Sequence, residues 1–136
     1  MKKIILLAVL LFSLLGCSTD NDQPNYSFEV NPIDSFILPA SFKVGETYEI
    51  TLKFTRPTEC HAYQGIYYSK ELNKRTVAIQ TVVDKDQACV QTVPAQSTVT
   101  FNFYATNTGS YIFKFYKGED ANGVNQFEEV EVPVTN

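Results

Sequence analysis

The chain has no tryptophan, one histidine, one methionine and only three cysteines in 136 residues. With His61 alone, any proton-transfer site that needs imidazole must be built at that position. No cluster of lysine and arginine occurs anywhere, which removes the electrostatic footprint of a nucleic-acid or anionic-lipid binder. No apolar run approaches the roughly 20 residues that cross a bilayer as a helix; the longest spans positions 4 to 12. A glycine-rich phosphate loop and a serine elbow are also missing. Beyond the N-terminus, no segment keeps a helical period.

What is present begins at the N-terminus. Met1-Lys2-Lys3 precedes the apolar run Ile4 to Phe12, then Ser13-Leu14-Leu15-Gly16-Cys17. A basic start, a short apolar stretch and a small residue before the cut describe a secretory signal peptide. Leu14-Leu15-Gly16-Cys17 resembles the bacterial lipobox, with Leu15 where Ala or Ser is commoner. That resemblance implies cleavage before Cys17 and lipid on its thiol, with residues 1–16 removed. Two or three acyl chains hold a protein far more firmly than one. Residues 17–25 are polar after the cysteine and form the expected flexible linker. Asp20 and Asp22 resemble the surface-export signal of Bacteroidetes lipoproteins, and Ser18 resembles outer-membrane sorting. Plain linker composition explains the same residues.

Removing Lys2 and Lys3 takes the basic count from 11 to 9 against 15 acids, a net charge near −6 for the mature chain. With Cys17 assigned to lipid, Cys60 and Cys89 remain as an even pair in an oxidising compartment, so a disulfide is expected. It would close a loop of 30 residues, worth about 3.6 kcal/mol in chain entropy. A metal site using both thiols and His61 competes with this reading, but zinc sites bring two ligands close together on each arm, and the second arm offers only Cys89.

Alternation dominates residues 26–136. Tyr48, Ile50, Leu52 and Phe54 alternate with Glu49, Thr51 and Lys53. The same period-two pattern runs through Val99–Phe103, Tyr111–Phe115 and Val130–Val134, as in half-buried strands. Less regular strands are expected at about 26–31, 33–38, 62–68 and 76–83, with the phase between Tyr63 and Tyr68 ambiguous. Asn122-Gly123 marks a hairpin turn. The fold class is therefore all-β, an antiparallel β-sandwich of about seven to nine strands forming one domain.

Asn107-Thr108-Gly109-Ser110-Tyr111 resembles the tyrosine corner of immunoglobulin-like domains. The resemblance implies that the Tyr111 hydroxyl bonds backbone a few residues upstream. Phe113 stands where such domains carry their second cysteine, and Leu52 near the first, so an apolar contact is expected in place of the inter-sheet disulfide. More broadly, Cys60-His61-Ala62-Tyr63, Cys89 and Phe113-Lys114-Phe115-Tyr116-Lys117-Gly118-Glu119-Asp120 resemble small lipoproteins of Flavobacteria and their relatives. This resemblance implies location and shape but no activity.

No catalytic constellation emerges. His61 beside Cys60 suggests a thiol pair, but a disulfide removes the thiolate. Asp120-Ala121-Asn122-Gly123 is similar to part of a calcium loop without its third acidic ligand and closing glutamate; a hairpin turn explains it equally. No metal or cofactor is expected, and calcium near Asp120 stays open. If Tyr111, Phe113 and Phe115 face the core, then Ile112, Lys114 and Tyr116 face outward, with Tyr68 and the Glu129/Glu131 row as expected neighbours. Exposed tyrosines among few charges suit an interaction surface. The expectation is a non-catalytic, membrane-anchored binding module on the outer membrane or cell surface, with a protein or glycan partner. Alternatives are a protease inhibitor presenting residues 56–63 or 117–124, a structural envelope protein and, least supported, an enzyme using His61.

Overall fold

The computed structural model describes residues 24–136; the expected signal peptide, Cys17 and the first part of the expected linker lie outside the described residues. Nine strands and no helix are found among them. They are β1 (Tyr26–Asn31), β2 (Ser35–Ile37), β3 (Phe42–Lys43), β4 (Thr47–Phe54), β5 (His61–Glu71), β6 (Lys74–Asp84), β7 (Ser97–Tyr104), β8 (Gly109–Glu119) and β9 (Asn125–Thr135). The expected strands all form, most of them longer than their alternating cores; the two-residue β3 is too short to carry a period.

Two sheets pack face to face. The smaller is β2-β4-β7, and the larger contains β1, β3, β5, β6, β8 and β9. Five of the seven pairings are antiparallel. The others, β6 with β8 and β3 with β9, are parallel. The β6–β8 pairing follows from connectivity: after β6 the chain crosses to the smaller sheet as β7 before returning as β8, so β8 re-enters beside β6 in the same direction.

The period-two code decides what lies between the sheets. Ile50, Leu52 and Phe54 from β4 meet Tyr111, Phe113 and Phe115 from β8, all essentially sealed from solvent. Leu52 and Phe113 share this cluster with Phe42, Val77, Ile79 and Val132. Phe113 makes edge contact with Phe103 at 5.2 Å between centroids, an arrangement aromatic quadrupoles favour. Phe36 of β2 stacks on Phe115 at 3.8 Å, which secures the short β2 over the larger sheet.

Tyr111 closes one end of the sandwich. Its hydroxyl accepts backbone N–H bonds from Thr106 at 3.0 Å and Asn107 at 2.9 Å. Burial pushes the phenol pKa up, but the hydrogen bonds around Thr106 and Asn107 and the nearby Arg75 charge outweigh it, and the net shift is downward. Cys60 and Cys89 form a disulfide with their Cα atoms 5.8 Å apart, tying the entry of β5 to the segment between β6 and β7.

Two bulges reset the alternation. In β5 the register shifts between Tyr63 and Gly65, so Tyr63 and Tyr68 share the inward face despite their odd spacing. This is the origin of the ambiguous phase. In β8 a second shift falls between Tyr116 and Gly118, whose φ of +104° suits glycine.

Candidate functional site

The outward face of the larger sheet owes its shape to β6. One edge of β6 pairs with β5 throughout; the other is divided between β8, opposite residues 74–77, and β1, opposite residues 79–84. Ile33 N donates to Tyr116 O at 2.8 Å where the two strands meet. Beyond that point the β8–β9 hairpin diverges from β1. A cleft of about 650 Å³ opens between them, lined by Val30, Tyr67, Ala78, Tyr116, Glu119 and Phe127 among others.

Register places these groups on one face. Tyr67 stands opposite Ala78, and Tyr116 opposite Phe127. Ala78 is small enough to leave depth at the floor. The neighbouring outward residues of β1, Phe28 and Val30, are 70% and 50% exposed. Together they form an apolar strip beside the cleft.

Of the residues expected on the recognition face, the structure brings three together. Ile112 lies opposite Glu131, and Lys114 opposite Glu129. Lys114 Nζ sits 3.3 Å from the Glu129 carboxylate and 4.9 Å above the Phe127 ring, where ring and carboxylate both favour the cation. Tyr116 does face this side, but it is buried in the cleft wall rather than exposed, with burial and the Glu119 charge raising its pKa. Tyr68 stands apart from these three: the Gly65 bulge places it on the other side of the sheet, opposite Val77, where it stays 38% exposed and meets Phe101 edge-on at 5.8 Å. Tyr67 takes the outward place instead. Sequence reasoning missed Tyr67, Val30 and Phe127 because the bulge hides the phase of β5 and Phe127 precedes the regular alternation of β9.

His61 sits in a tight polar knot. Thr58 Oγ1 lies 2.8 Å from Nδ1 and Glu29 Oε2 3.1 Å from Nε2. Arg56 donates to the His61 carbonyl at 2.6 Å and pairs with Glu59 at 3.3 Å. Thr58 Oγ1 also accepts from Cys60 N at 3.2 Å. Carboxylate, imidazole and hydroxyl thus stand in line, yet every member is engaged in joining β1, β5 and the disulfide loop. Residues 56–61 therefore fold back on themselves rather than projecting.

Asp120 is equally occupied. Its Oδ1 accepts from Asn122 N at 2.8 Å and Val124 N at 3.0 Å, and its Oδ2 accepts from Gln126 Nε2 at 3.1 Å. With Gly123 at φ +75° this is a closed Asx-type hairpin turn. Among the described residues no three His, Cys, Asp or Glu side chains converge on a metal position.

A family model described as ORF11 beta-sandwich domain matches residues 45–132, from the turn before β4 into β9. No curated protein and no solved structure matches the chain.

Proposed function

From the premise that the chain belongs to the ORF11 beta-sandwich domain family, we propose that it is a lipid-anchored, non-catalytic recognition module of the bacterial envelope. Its outward sheet face is the contact surface. The anchor is Cys17, acylated after removal of residues 1–16, in a lipoprotein similar to those of Bacteroidetes. The site of action is the outer membrane or cell surface, and the partner is a protein or glycan of that compartment. The observation that carries the reading is the cleft between β1 and the β8–β9 hairpin, flanked by the exposed Phe28 and Val30. A solvated sheet face is ordinarily polar; an apolar strip beside a cleft is what a partner would cover. The inhibitor alternative draws no support from residues 56–63 or 117–124, since the first folds into the His61 knot and the second ends in a closed turn.

Retention of envelope components by the immobilised chain tests the proposal, with the Phe28→Ser/Val30→Ser variant in parallel. The expected outcome is a protein or glycan held by the natural chain and held about tenfold less by the variant, on the order of 1–2 kcal/mol for two exposed contacts. No retained component at micromolar protein, or equal retention by both chains, would overturn it.

A further inference from the structure

We infer a second, separate site: the notch between the edges of β5 and β7 binds a small organic carboxylate, with Arg75 and Lys70 supplying its positive wall. The notch measures about 300 Å³ and is lined by Tyr68, Lys70, Arg75, Phe101, Asn102 and Thr106, together with Phe103 and Tyr104. Two cations and no acid line it, in a chain whose net charge is −4. The local sign is opposite to that of the molecule.

Arg75 makes the stronger point. It is only 6% exposed and occupies an inward position of β6, two residues before the fully buried Val77. Neither Arg75 nor Lys70 takes part in any ion pair among the described residues. Buried charge is costly unless a counter-charge or a full set of hydrogen bonds meets it. The fold meets it in part: Nη1 donates to Leu72 O at 2.8 Å and Lys74 O at 2.7 Å, and the guanidinium lies 4.8 Å over the Tyr111 ring. Nε is buried with no acceptor. The carbonyl of Leu72 belongs to the two-residue turn between β5 and β6, where Leu72 at φ +52° is 90% exposed.

An acidic ligand at the mouth of the notch supplies the counter-charge that Arg75 and Lys70 lack among the described residues; the sealed Nε lies beyond its reach. Tyr68, Phe101 and Tyr104 offer ring surface for the ligand body, and Asn102 offers a side chain able to bond hydroxyls. The volume lies at the small end of ligand pockets, which limits the ligand to about one sugar ring. The inference goes beyond the recognition reading above and uses neither the outward face nor its cleft.

Calorimetric titration of the full chain at fixed ionic strength tests it, with glucuronate and benzoate as probes and glucose and benzyl alcohol as controls. Both carboxylates are expected to bind about tenfold or more tightly than their neutral counterparts. Lys70→Gln, an exposed change that leaves the fold intact, should weaken them about threefold or more, and Arg75→Lys about tenfold, because an ammonium cannot keep the Leu72 and Lys74 carbonyl bonds and also present its charge to the notch. Equal binding of neutral and acidic probes, or an unaltered Lys70→Gln variant, would overturn the site. If carboxylates bind while envelope retention fails, the outward-face reading falls alone; the reverse result removes only this notch.

Discussion

The hydroxyl of Tyr111 takes two backbone amides, from Thr106 and Asn107, in a place no water reaches. Replacing it with phenylalanine leaves the ring packing against Phe103 and Phe42 but strips both amides of their acceptor. Each unsatisfied buried donor costs about 1–3 kcal/mol, reduced where the turn can shift toward water. Tyr111→Phe should therefore lower stability by about 2 kcal/mol in urea unfolding, with an unchanged m-value. A loss below a few tenths would show that the corner is not held by this hydroxyl. Tyr111 was legible because its neighbours Asn107 and Gly109 form a short, recognisable turn. Arg75 was not: nothing local distinguishes an arginine that faces a core from one that faces water, and its inward place follows only from the register of β6 against β5 and β8.

At the scale of elements, alternation carries the strands it can reach. β4, β7, β8 and β9 keep an uninterrupted period over their central residues, so their inward sets follow directly. β5 does not, because one extra residue near Gly65 moves Tyr68 inward and Tyr67 outward. The parallel pairings were equally hidden, since they depend on where the chain returns after crossing between sheets. The disulfide was legible from the expectation of export and the pair of thiols left once Cys17 is set aside. It anchors the long segment between β6 and β7, aided by Glu59 N donating to Thr92 O at 3.0 Å. Changing Cys60 and Cys89 together to serine should cost about 3–4 kcal/mol by the loop-closure estimate. Amide exchange should accelerate first in residues 85–96, ahead of β8. Uniform acceleration across both sheets would mean that the bond supports the whole sandwich instead.

For the whole molecule, sandwich and surface follow from one arrangement. β6 has more strands to hold than one edge can pair along its length, so β1 and β8 divide an edge and part to leave the cleft. The composition of the chain announced a sheet protein with few charges but not this fork, which arises from long-range pairing. We propose that lipid on Cys17 carries this sandwich on a membrane outside the cytoplasm. Intact-mass and peptide mass spectrometry of the protein extracted from its native membrane tests this most directly. The expected result is a chain beginning at Cys17 with a diacylglyceryl adduct, and Cys60 joined to Cys89. An unacylated soluble chain starting elsewhere, or free thiols at both positions, would contradict it.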